Sequence, residues 1–96
     1  MTRKIVRLRI SGRVQGVGFR AFVADEAEAR GLEGWVRNRA DRSVEAVLAG
    51  EGEAIDPMVE TCRRGPPGAK VERLETEEAR ESELTAGSGF AILRTL

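Results

Sequence analysis

The chain has 96 residues, of which 41% are hydrophobic and 33% charged, enough apolar content for one small folded domain and too little length for two. A single cysteine and the absence of histidine and tyrosine exclude an internal disulfide, a cysteine-based zinc site, His-ligated metals and Ser-His-Asp or Cys-His catalysis. The formal net charge is zero, so no global field draws nucleic acid or an anionic membrane.

In chain order, Ile5 to Ser11 alternates, with Val6, Leu8 and Ile10 facing one way and Arg7, Arg9 and Ser11 the other. That period of two predicts a half-buried strand. Gly12 to Gly18 is a loop punctuated by glycine. Phe22, Val23, Glu26, Ala27 and Arg30 then follow helical spacing, and Gly31 stands where a left-handed C-terminal cap belongs. Leu32 to Asn38 reads as a second strand, Arg39 to Arg42 as a short turn, and Val44, Ala46 and Leu48 as one face of a third strand, together a β-hairpin.

Ile55, Met58, Val59 and Cys62 recur at helical spacing and form an amphipathic stripe. Pro57 fits that helix if it starts late, with Asp56 as cap and Pro57 at the first helical position. Gly65-Pro66-Pro67-Gly68 ends it. Lys70 to Glu75 reads as a fourth strand, the acidic stretch on to Gly89 as a solvated connection, and Phe90 to Arg94 as a last strand. The order predicts an α+β, ferredoxin-like βαββαβ sandwich over residues 1–96: an antiparallel sheet, two helices on one face, and a short final strand. Apolar runs such as Ala21 to Ala24 and Phe90 to Leu93 are only four residues long. They fit no transmembrane helix or targeting peptide, so the protein is expected to be cytoplasmic.

The chemistry is concentrated in Gly12-Arg13-Val14-Gln15-Gly16-Val17-Gly18-Phe19-Arg20, which joins the first strand to the first helix. Glycines there let successive backbone N–H groups point inward. Such a concavity opening onto a helix N-terminus binds anions, and Arg20 in the first turn can add a bidentate fork to phosphate oxygens. The alternative is a simple turn followed by a solvated arginine. The first 24 residues also hold Arg3, Lys4, Arg7, Arg9 and Arg13 and no Asp or Glu, a local positive end suited to a small anion. Gly16 to Ala21 also matches a relaxed dinucleotide fingerprint, but the following hairpin is not the parallel βαβ unit that fingerprint requires. Gln15 and Asn38 are the only Gln and Asn in the chain. Asn38 can both donate and accept, so it can hold a water in a fixed orientation.

These residues resemble the acylphosphatase family. One family signature is matched by Ile10-Ser11-Gly12-Arg13-Val14-Gln15-Gly16-Val17-Gly18-Phe19-Arg20, and a second in part by Gly34-Trp35-Val36-Arg37-Asn38, Val44 and Gly50. The resemblance implies metal-independent hydrolysis of small acyl phosphates to carboxylate and phosphate, with no cofactor. It implies that Arg20 and the loop at Gln15, Gly16, Val17, Gly18 and Phe19 bind the phosphoryl group, and that Asn38 orients the attacking water. Beside the resemblance, nothing in the sequence suggests more than a monomer, and the neutral charge gives no reason to expect nucleic-acid or membrane partners. One departure stands out: the family usually has glycine where Arg42 sits. If the turn needs a positive φ there, arginine costs on the order of 1 kcal/mol; the turn could instead use Asp41.

The remaining residues read as structural. Trp35 is expected to wall the hairpin, Cys62 to be a small core residue rather than a nucleophile, and Phe19, Phe22 and Phe90 to join the core. Two competing functions stay in view, an RNA-binding βαββαβ module and a non-catalytic anion-binding domain. Three Phe, one Trp and no Tyr make a poor base-stacking platform, and Asn38 separates a hydrolase from a mere anion binder.

Overall fold

The computed structural model describes residues 2–84 and 89–96. In chain order it contains β1 (Arg3–Arg13), α1 (Phe19–Ala29), β2 (Glu33–Asn38), β3 (Val44–Glu51), α2 (Gly52–Arg64), β4 (Lys70–Glu78), a short 3-10 turn (Glu81–Glu83) and β5 (Phe90–Ile92). The strands form one sheet in the order β4-β1-β3-β2-β5, the ferredoxin-like arrangement expected. The first four strands pair antiparallel, whereas β5 lies parallel to β2, so the sheet is mixed.

The alternation of β1 is realised in full. Val6, Leu8 and Ile10 are buried against the helices with Phe19 and Val23 of α1 and Ile55 and Met58 of α2. The strand outruns its expected ends because β3 and β4 flank it and satisfy its backbone on both sides. α1 begins at Phe19, which leaves Arg20 in its first turn as expected; the Phe19 ring is buried and meets Phe22 edge to face with centroids 6.0 Å apart. Phe22 and Phe90 are only partly buried against this core. Gly31, at φ 68, turns the chain out of α1 as a left-handed cap should.

α2 corrects the expected start. It runs from Gly52 with Pro57 inside it, and Asp56 is no cap but an exposed partner of Lys4 at 3.0 Å. Pro57 lacks the N–H that would meet the Glu53 carbonyl, a loss of one ladder bond early in the helix. Burial of Ile55, Met58, Thr61 and Cys62 along one stripe outweighs it. Cys62 is a core residue, and burial pushes its thiol pKa up to about 12. Arg30, the C-cap of α1, donates to Thr61 Oγ1 of α2 at 3.1 Å and ties the two helices together.

The acidic stretch is also corrected. Glu75 to Glu78 belong to β4, at one edge of the sheet, and the chain must then cross to β5 at the other. It crosses the face opposite the helices. Glu81 pairs with Arg3 at 2.6 Å, Glu83 pairs with Arg7, and Trp35 Nε1 donates to the Glu83 carbonyl at 2.8 Å. Residues 85–88 of the expected connection lie outside the described residues. Under this strap Trp35 is 4% exposed, with the Arg37 guanidinium 4.7 Å above its ring. After β5 the chain continues beside β2, where Leu93 N–H donates to the Val36 carbonyl and Leu96 N–H to the Asn38 carbonyl.

Candidate active site

Val14, fully buried, anchors the chain as it leaves β1. Gly16 and Gly18 then take φ of 77 and 79, values a side chain resists and glycine adopts freely. A Cβ at either glycine would meet nothing within 4 Å, so conformation rather than crowding selects them. Gly18 is the N-cap of α1 and its carbonyl accepts the first helical bond from Phe22 at 3.0 Å. The N–H groups of Phe19, Arg20 and Ala21 therefore have no acceptor within the helix. Among the described residues, those of Gln15 to Gly18 also find no acceptor outside helices and strands. The result is a cluster of open donors at the positive end of a helix, a cradle whose charge suits an anion.

The cradle opens into a pocket of about 300 Å³ lined by Val14, Gln15, Gly16, Gly18, Phe19, Arg20, Ala21, Asn38 and Ile92. The structure thus brings Arg20 and Asn38 into one cavity from α1 and β2. Val17 does not line it; its side chain is packed against the core, which leaves only its backbone to the site. Arg20, half-buried, makes no ion pair among the described residues. The rest of the positive end is largely neutralised. Arg3, Lys4, Arg7 and Arg9 all pair with carboxylates; of that positive end, Arg20 and exposed Arg13 make no ion pair among the described residues, and only Arg20 lines this pocket.

Asn38 ends β2 on the helix-facing side, the side it shares with buried Val36. Its Oδ1 is buried with no partner among the described residues, a costly state for a polar atom outside a functional site. Gln15 does something sequence reasoning did not foresee. Its Nε2 donates to the carbonyls of Arg39 at 3.0 Å and Ser43 at 2.9 Å, clamping the loop to the turn that follows Asn38. That turn takes its left-handed step at Arg42 and not at Asp41, whose carboxylate braces it instead. Asp41 accepts from the backbone N–H of Ser43 at 3.0 Å and from its hydroxyl at 2.6 Å, while Arg42 alone among described non-glycine residues has a positive φ, 77.

Two carboxylates near Asn38 in sequence do not line this pocket. Asp41 faces the other side of the loop, and the hydrogen bonds from Ser43 hold its carboxyl below the usual carboxylate range. Glu45, 4% exposed, lies on the opposite face of the sheet, within 3.1 Å of Arg7, 2.9 Å of Arg37 and 3.2 Å of Arg39. Ile92 was unforeseen at the pocket. Only the parallel pairing that sets Ile92 opposite Val36 brings it beside Asn38, and nothing in a three-residue strand announces its partner.

A family model of the acylphosphatases matches residues 6–92. The chain is 50% identical over 99 residues to an acylphosphatase of Bradyrhizobium diazoefficiens, with 100% of both chains covered. The solved structure of the acylphosphatase from Bacillus subtilis superposes with a TM-score of 0.86 at 40% identity, covering 96% of this chain and 99% of that one. An acylphosphatase from Coxiella burnetii gives 0.86 at 35% identity, covering 95% and 93%.

Proposed function

The chain belongs to the acylphosphatase family, and we propose that it hydrolyses acyl phosphates by in-line attack of water, Arg20 and the loop donors holding the phosphoryl group and Asn38 orienting the water. The observation that carries this reading is one pocket that holds an arginine, a cluster of backbone donors and an amide oxygen, all without partners among the described residues.

An acyl phosphate is a mixed anhydride whose leaving group, a carboxylate, has a reference pKa near 4. It departs without a proton, so the site needs no general acid. The oxygen–phosphorus bond to water forms as the bond to the acyl oxygen breaks. Negative charge on the equatorial phosphoryl oxygens is met by the N–H groups and the guanidinium; a comparable donor is worth about 10²–10³ in rate. Asn38 contributes alignment of the nucleophile. The water's proton passes to a phosphoryl oxygen of the substrate, giving carboxylate and phosphate. Asp41 is engaged with Ser43, and Glu45 with three arginines across the sheet, which supports the substrate itself as acceptor.

The pocket's donor set is backbone N–H, guanidinium and amide. Among the described residues no three His, Cys, Asp or Glu side chains gather to hold a metal ion, and turnover is expected to persist in EDTA. A non-catalytic anion binder would need Arg20 and the cradle but not Asn38. The test compares benzoyl phosphate with p-nitrophenyl phosphate. The acyl phosphate should turn over rapidly and the monoester at least about 10²-fold slower, because an aryloxide leaves less readily without an acid. Equal rates on the two would contradict the reading.

A further inference from the structure

Within that reading, on which this step rests, the acyl end of the substrate has no assigned contact. We propose that Ile92 is the wall against which the acyl group lies, and that the enzyme favours acyl phosphates whose acyl group is apolar and uncharged.

Ile92 is 50% exposed, and with Leu96 it is one of two large apolar side chains left in water among the described residues. Scattered surface apolars need no explanation, but this one lines the pocket that holds Arg20 and Asn38. Phe90 and Ile92 share the helix-facing side of β5. Phe90 reaches the core, whereas Ile92 lies one strand-step further along and ends in the pocket. Its register partner is Val36, while Asn38 stands two residues further along the neighbouring strand. A water on Asn38 and an acyl group over Ile92 therefore occupy different places.

The rest of the lining points the same way. Ala21, on the first turn of α1, is small and exposed and leaves room beside Ile92. Among the described residues that line the pocket, Arg20 is the only one with a charged side chain, and the phosphoryl group takes it. An acyl group bearing its own carboxylate would find no second cation there and would lay a charge against Ile92, which desolvates it without compensation.

The contact is made alike in the bound and transition states, so it should be read in KM more than in kcat. In a closed apolar pocket one methylene is worth about 10–200-fold; on a half-open rim, truncating isoleucine should cost roughly five- to twentyfold. The experiment measures kcat/KM on benzoyl and acetyl phosphate for the wild type, Ile92→Ala and Ile92→Thr, the last keeping a β-branched residue in the strand. The benzoyl-to-acetyl ratio should fall roughly five- to twentyfold in Ile92→Ala and by less in Ile92→Thr, mainly through KM. The wild type should also prefer butyryl phosphate to succinyl phosphate, which differs from it by a terminal carboxylate. Unmoved ratios in both variants, or equal use of butyryl and succinyl phosphate, would overturn this inference while leaving the hydrolase in place. A wild type inert toward every acyl phosphate would overturn the hydrolase reading, and this inference with it.

Discussion

Gln15 Nε2 donates to the Ser43 carbonyl at 2.9 Å, across the gap between the anion cradle and the β2–β3 hairpin. The two halves of the proposed site come from different elements: the cradle from the β1–α1 loop, Asn38 from the end of β2. The Gln15 amide, which also meets the Arg39 carbonyl, is the side-chain link that sets their spacing.

Gln15→Ala should therefore damage rate more than stability. Both carbonyls keep a backbone donor, Arg39 N–H on Ser43 and Arg42 N–H on Arg39, so the loss of stability should be about 1–2 kcal/mol. Misplacement of the cradle relative to Asn38 should lower kcat by about tenfold or more. Denaturant unfolding and benzoyl phosphate kinetics on one preparation check both. Wild-type kcat in the variant would assign Gln15 a purely structural part.

Arg42 holds a left-handed conformation that costs a non-glycine residue about 1–2 kcal/mol, partly offset because glycine loses more entropy on folding. Arg42→Gly should raise stability by about 0.5–1 kcal/mol, lifting Tm by a few degrees in a domain of this size. Calorimetry checks it, and an unchanged or lower Tm would show that the turn carries no strain.

Much of this was legible in the sequence because the patterns involved are local. The alternation around Leu8, the stripe through Ile55 and Cys62, and the glycines flanking Val17 each report on a few neighbouring residues. What was missed depends on pairing over distance. Pro57 argued for a late α2 on local grounds, and burial of the stripe overruled it. Glu83 looked like a solvated loop residue until the sheet order required the chain to cross over Trp35. The Gln15 clamp and the place of Ile92 likewise follow from which strands are neighbours, which no spacing along the chain encodes.

The strap across the sheet should make the fold sensitive to acid. The hydrogen bond from Arg3 lowers the pKa of Glu81, and the backbone N–H of Arg80, with Arg7, lowers that of Glu83, both from an ordinary 4.5. Carboxyls depressed in the folded state contribute stability that is complete above the unfolded pKa and is lost as pH falls through the folded one. Tm should thus hold down to about pH 5 and fall progressively below 4.5, with a shallower fall in Glu83→Gln. A Tm profile identical in that variant would remove Glu83 from the account.

Substrate-assisted proton transfer predicts that no nearby carboxylate is required for turnover. Asp41→Asn should retain most of the wild-type kcat. Glu45→Gln should destabilise the protein by about 2–4 kcal/mol, because it leaves a neutral partner among three arginines, yet stay active under conditions where it is folded. Loss of turnover by about 10³-fold in either folded variant would identify that carboxylate as the base instead.

The most direct test of the division of labour between Arg20 and Asn38 pairs two measurements on the wild type, Arg20→Ala and Asn38→Ala. Benzoyl phosphate hydrolysis is followed by ultraviolet absorbance in EDTA, and inorganic phosphate binding by calorimetry. Arg20→Ala should lose both turnover and phosphate affinity. Asn38→Ala should bind phosphate within a few fold of the wild type while its turnover falls by about 10²–10³. Near-wild-type turnover by a folded Asn38→Ala would contradict the account.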